Sequence, residues 1–133
     1  MRRQFQLPQG DINTLEASGL AWESVVEPTG QWVLIQQRPL PAGFNIARTD
    51  VGLAIPPSYP DAQIDSVLFR DCPCPVNGAH LSKVTHYRLD GCSWHHFCRH
   101  RSKLNPWRPG LDDIASHLAL VDYWLLKATG RAR

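Results

Sequence analysis

Apolar and polar positions change period along the chain, and each change marks an element. Asp11-Ile12-Asn13-Thr14-Leu15-Glu16-Ala17 reads as a short helix, with Asp11 placed to cap it and Gly19 to end it. Ala21-Trp22-Glu23-Ser24-Val25-Val26 and Gln31-Trp32-Val33-Leu34-Ile35 are strand-like runs on either side of Glu27-Pro28-Thr29-Gly30, the pattern of a β-hairpin. Pro39 and Pro41 close the second strand. A third strand is expected within Asn45 to Ile55, where Val51, Leu53 and Ile55 alternate as a half-buried strand requires. Pro56-Pro57-Ser58-Tyr59-Pro60-Asp61 reads as a stiff surface loop, because proline fixes φ and donates no hydrogen bond. Ile64 to Phe69 is a fourth short strand. Near the end, Leu111, Ile114, Ala115, Leu118, Val121 and Leu125 fall on one face of a helix that Gly110 or Asp112 starts and Gly130 stops after Lys127.

Between the fourth strand and this helix the periodicity fails. Residues 71–110 hold all four cysteines, five of the six histidines and four of the eleven prolines. Val84 to Leu89 is a candidate strand, and the rest reads as irregular, which in a compact domain is usually functional or mobile. The order is N-terminal helix, four-stranded antiparallel meander, irregular active-site segment and C-terminal helix, an α+β arrangement.

Composition narrows the class. A chain of 133 residues fits one domain over 1–133, and 43% hydrophobic against 20% charged residues gives it a core rather than a disordered ensemble. Such a domain needs no disulfide. A net charge of +2 is too small for a general polyanion binder, although residues 1–70 carry −2 and residues 71–133 carry +4. No apolar run approaches the ~20 residues of a membrane span. Met1-Arg2-Arg3-Gln4-Phe5 is basic but lacks the apolar stretch of a signal peptide. The four thiols, Cys72, Cys74, Cys92 and Cys98, are therefore expected to be reduced and cytoplasmic.

The candidate chemistry centres on Gly91-Cys92-Ser93-Trp94-His95-His96-Phe97-Cys98-Arg99-His100-Arg101. Arg99, Arg101 and Lys103 stand close to Cys98, and positive neighbours favour the nucleophilic thiolate. A cysteine with a histidine nearby suits acyl or thioester chemistry. The plain alternative is a buried cysteine packing beside Phe97 as a small hydrophobe, and Cys92 is the rival thiol. Cys72-Pro73-Cys74 with His80, completed by Cys92 or His86, invites a zinc reading. Only one residue separates the paired cysteines, against the usual two to four, and two thiols in a proline-rich surface loop is the simpler account. The basic, aromatic run from Trp94 to Trp107 has the residues for nucleic-acid contacts. The low charge and the absence of any RNP-type or helix-turn-helix pattern make a solvated basic loop the better reading. His117 and Trp124 read as packing or surface residues of the last helix. No Gly-rich phosphate loop, His-Glu-x-x-His or Gly-x-Ser-x-Gly motif occurs.

Two groups of residues carry a resemblance. Tyr59-Pro60 followed by Asp65-Ser66-Val67-Leu68-Phe69, and Asn105-Pro106-Trp107-Arg108-Pro109-Gly110, resemble the Tyr-Pro segment and the helix-preceding Trp-x-Pro stretch of ubiquitin-conjugating (E2) enzymes. The chain is similar nearly end to end to prokaryotic E2 family E. The matching stretches are Leu40-Pro41-Ala42-Gly43-Phe44-Asn45, Ile55-Pro56-Pro57-Ser58-Tyr59-Pro60-Asp61, Arg99-His100-Arg101 and Trp107-Arg108-Pro109-Gly110-Leu111-Asp112.

The resemblance implies a bacterial system with an E1-like activating enzyme, a ubiquitin-like modifier and a JAB-type peptidase. In it the E2 cysteine takes the modifier as a thioester and passes it to an amine. The E2 cysteine lies a short way before the tryptophan. Cys98 lies nine residues before Trp107 and Cys92 fifteen, so Cys98 is the implied nucleophile. The His-Pro-Asn motif of E2 enzymes is absent. Pro75-Val76-Asn77-Gly78 is its nearest substitute, with Asn77 in the oxyanion role, although Asn-Gly is also a common plain turn. His100 is placed to position or deprotonate the incoming amine. No cofactor is implied. A non-catalytic E2-like binding module is the alternative in the same kind of system.

Overall fold

The computed structural model describes residues 1–81 and 84–130. In chain order it contains helix α1 (Gln9–Ala17), strands β1 (Trp22–Glu27), β2 (Gly30–Pro39), β3 (Arg48–Ile55), β4 (Ser66–Phe69), β5 (Thr85–Leu89) and β6 (Cys92–Cys98), and helix α2 (Ile114–Ala128). The class is α+β, as the pattern predicts. One antiparallel sheet runs β1-β2-β3-β4-β6-β5. It has six strands where a four-stranded meander was expected: β5 falls on the candidate strand Val84 to Leu89, and β6, which forms a hairpin with it, lies in the stretch read as irregular. Asp90 and Gly91 make its two-residue turn, both at positive φ (53° and 73°), which suits the twist of paired strands. The expected strands also begin later than the apolar residues do: β3 at Arg48 and β4 at Ser66. Ile64 nonetheless stays buried in the core.

The helix ends differ from expectation for a shared reason. Asp11 does not cap α1, which follows Pro8 directly. Its carboxylate is buried, accepting from the Tyr59 hydroxyl at 2.6 Å and from the Ile114 backbone N–H at 3.1 Å. It thus ties α1 to the first turn of α2. Asp113, rather than Gly110 or Asp112, caps α2, in a reciprocal box with Ser116 at 2.9 Å in each direction. Asp112 is already engaged by Arg101 and Arg108. Leu111 lies before the helix and is 67% exposed, so it is no part of the buried face. Ile114, Leu118, Val121 and Leu125 are that face.

Two apolar clusters result. The main one lies between the sheet and both helices and includes Leu15, Ile35, Leu53, Phe69, Phe97, Val121 and Leu125. The second lies on the other side of the sheet and joins Val25, Trp32, Leu34, Leu68, Leu89 and Trp94. It is buried because the sheet curls. Tyr87 of β5 packs against Trp32 of β2 at 5.2 Å between ring centroids. Arg2 bridges Glu23 of β1 and Asp90 of the β5–β6 turn, and the Asp90 N–H donates to Glu27 at 2.8 Å. Hydrogen bonds from Arg2 hold the Glu23 carboxyl down at about 2.

Candidate functional site

Cys98 is the last residue of β6, and its place is set by the neighbouring strand. Ser66, Val67, Leu68 and Phe69 of β4 pair with Cys98, Phe97, His96 and His95. The Arg99 N–H continues the ladder to the Asp65 carbonyl at 2.7 Å. Phe97 faces the core, touching Phe69 and Trp124, whereas Cys98 is an exposed free thiol. The buried-hydrophobe reading of Cys98 is therefore incorrect: β6 ends here, and its last side chain projects away from the core. Below it, buried His117 donates from Nε2 to the Ser66 carbonyl at 2.9 Å, fixing the strand opposite the thiol.

An open groove of about 370 Å³ runs beside Cys98, lined also by Arg99, His100, Leu120, Tyr123, Trp124 and Lys127. The α2 residues among these repeat every three or four positions. They form a second stripe beside the core face, a signal present in the sequence once the helix is drawn. The Arg99 guanidinium lies over the Trp124 ring at 3.9 Å and donates from Nε to the Cys98 carbonyl. Burial pulls Arg99 below its ordinary range, while the nearby Cys98 charge acts in the opposite direction. His100 lines the same groove, with Nδ1 3.7 Å from the Asp65 carboxylate.

Other sequence candidates are placed elsewhere. Arg101 turns away from the groove: its side chain is nearly buried, pairs with Asp112 at 3.2 Å and reaches Ser116 and Asn105. Cys92 opens β6, so about 20 Å of extended strand separates it from Cys98. It packs at the second cluster. Asn77 donates from Nδ2 to the Ala128 carbonyl at the end of α2 (3.3 Å), and its Oδ1 accepts from the Ala79 N–H at 2.8 Å. It is not among the residues lining the groove. His86 and His95 pack ring to ring at 5.1 Å, and His96 bonds to Thr85 at 3.1 Å. Cys72, Cys74 and His80 line a separate small pocket. Among the described residues, no group of three or more His, Cys, Asp or Glu side chains is arranged to hold a metal. None of their helices is long and apolar enough to cross a membrane.

The short stretches shared with E2 proteins converge on one framework. Trp107 donates from Nε1 to the Pro60 carbonyl at 2.9 Å and packs beside Tyr59. Tyr59 reaches Asp11, Asp11 reaches the start of α2, and Asp112 holds Arg101 and Arg108. This framework fixes the segment from Arg99 to Asp113 between the thiol and α2. An α+β domain with an exposed cysteine at a strand end, followed by a tryptophan-anchored loop and a helix, has the layout of an E2-like protein. Residues 7–128 match prokaryotic E2 family E, and the chain belongs to that family. Membership carries an E2-like role in ubiquitin-like conjugation, and with it dealings with an E1-like enzyme and a ubiquitin-like modifier in general. No curated protein and no solved structure matches the chain.

Proposed function

We propose that this protein is the carrier of a bacterial ubiquitin-like modifier, held as a thioester on Cys98. The observation that carries the reading is the exposed Cys98 thiol in its groove within a chain of the E2 family. The Cys98 sulfur attacks the modifier's C-terminal carbonyl, a new C–S bond forms, and the thiol of the E1-like enzyme leaves. An acceptor amine then attacks the same carbonyl, Cys98 leaves as thiolate, and a neutral His100 takes the amine's proton. A JAB-type peptidase fits the same system as the enzyme that removes the modifier, and the cytoplasm is its compartment.

One observation favours the second reading, a binding module without a thioester. The amide of Asn77 is engaged at the end of α2, and an oxyanion role requires it to leave Ala128.

Incubation with the cognate E1-like enzyme, modifier and ATP, read on a non-reducing gel, separates the two. A thiol-sensitive adduct that Cys98→Ser abolishes and Cys92→Ser leaves intact supports the carrier. Loss with Cys92→Ser alone contradicts the assignment of Cys98, and modifier binding that survives removal of every cysteine, with no adduct, supports the module. His100→Ala should load normally and discharge to lysine ~10²–10⁴-fold more slowly in a single turnover; normal discharge removes His100 from the mechanism.

A further inference from the structure

The proposed transfer reaction uses neither Cys72 nor Cys74, yet their surroundings hold the two thiols together. The backbone around them is pinned on both sides. The Asp71 N–H donates to the Thr49 hydroxyl at 3.0 Å. Asn45 clasps Cys74 twice: its Oδ1 accepts from the Cys74 N–H at 2.8 Å, and its own N–H donates to the Cys74 carbonyl at 2.9 Å. Beyond them, Phe44 bridges to Pro75, and the Val76 N–H donates to Gly43 at 2.9 Å.

Between these pins each thiol lies against a backbone carbonyl of the motif, with the Cys74 side chain a neighbour of Cys72. Cys74 Sγ contacts the Cys72 carbonyl at 3.7 Å, and Cys72 Sγ contacts the Pro73 carbonyl at 3.9 Å. Both line one pocket of about 140 Å³ with His80, Leu81, Val84 and Phe97. Pro73 fixes its own φ and biases Cys72 toward extended backbone. An extended backbone rises ~3.1 Å per residue, so two steps span ~6 Å, inside the ~4.4–6.8 Å between Cα atoms that a disulfide bridges. Cys74 is exposed and Cys72 half-buried. Burial, and then the neighbouring Cys74, push the Cys72 thiol up.

We propose that Cys72 and Cys74 form a redox site, closing reversibly into a disulfide with each other on meeting a low-molecular-weight disulfide such as oxidised glutathione. The exposed Cys74 sulfur, as thiolate, attacks one sulfur of the oxidant. The mixed disulfide forms and one glutathione thiolate leaves. Cys72 loses its proton and attacks the Cys74 sulfur, the Cys72–Cys74 bond forms, and the second glutathione leaves. Two protein thiols are oxidised and one glutathione disulfide is reduced to two thiols. The pocket shares no lining residue with the Cys98 groove, and the proposal does not depend on the carrier reading.

The test is equilibration of the reduced full-length protein in glutathione redox buffers, acid quench, alkylation and peptide mass mapping. The expected product is an internal link between Cys72 and Cys74, with Cys92 and Cys98 appearing only as free thiols or glutathione adducts. The ratio of closed to mixed disulfide should give an effective concentration at or above ~1 mM. In Cys72→Ser the reaction should stop at a glutathione adduct on Cys74. Adducts on Cys72 and Cys74 of the natural protein with no internal link overturn the proposal, as does a link from either of them to Cys92 or Cys98.

Discussion

Among the described residues, His117 is the titratable side chain most fully enclosed in the core. It is fully buried, its Nε2 donates to Ser66, and its Nδ1 has no partner. Burial pushes it down from 6.5 to about 4 against the hydrogen bond to Ser66, with the charge of Arg101 acting in the same sense as burial and Asp65 opposing. The folded protein therefore keeps this imidazole neutral at pH values where the unfolded chain protonates it. This group leaves stability unchanged above pH 6.5 and lowers it as pH drops from 6.5 toward 4. The loss across that window is ~3 kcal/mol. Urea unfolding at a series of pH values should show it. His117→Gln, which can still donate to Ser66, should abolish the slope between pH 6.5 and 4, and an equal slope in both proteins contradicts the assignment. Below pH 4 a separate loss sets in. Burial raises Asp112, but hydrogen bonds from Arg108 and Ser116 and the charge of Arg101 outweigh it and bring it to about 2. The sequence marked His117 as a packing or surface residue, and it is a packing one. It could not show that the carbonyl packed against it belongs to Ser66, the cross-strand partner of Cys98, because that contact spans 51 residues.

At the scale of elements, the segment between β6 and α2 is held by a buried ion pair rather than by secondary structure. Removing one partner of such a pair leaves an uncompensated charge and costs ~3–5 kcal/mol. Asp112→Ala should therefore lower stability by that amount, whereas Asp113→Ala, which removes only the cap of α2, should cost ~1 kcal/mol. Equal effects in chemical denaturation contradict the role given to Asp112. The helix start was read at Gly110 or Asp112, but the cap is the next residue, Asp113. Arg101, read as an activator of Cys98, is the partner that settles it, and only the fold brings Arg101 and Asp112 within 3.2 Å. The β5–β6 hairpin was more legible than its neighbours allowed. Asp90-Gly91 is a strong turn signal, but histidines and cysteines fill the flanking strand positions and blur the apolar alternation. Phe97 and Trp94, one on each face of β6, are the two residues that kept it.

On the scale of the whole molecule, curling the sheet buries a second cluster, while the main core seats both helices. The α+β class and the first four strands were readable because their apolar residues repeat at strand or helix periods. The curl was not, because the contacts across it, Tyr87 on Trp32 and Arg2 on Asp90, join residues far apart in sequence, 88 positions for the ion pair. The groove is likewise a product of assembly, since β6 supplies the thiol and α2 the opposite wall. In the proposed function this one thiol, at the end of β6, carries the modifier. The most direct test of that role loads Cys98→Ser in the presence of the E1-like enzyme, modifier and ATP, then maps the product by mass spectrometry. The hydroxyl introduced by Cys98→Ser should trap the modifier as an oxyester that resists thiols. The modifier's C-terminal remnant is expected on that substituted side chain alone. A remnant on any other side chain, with the substituted one unmodified, contradicts it.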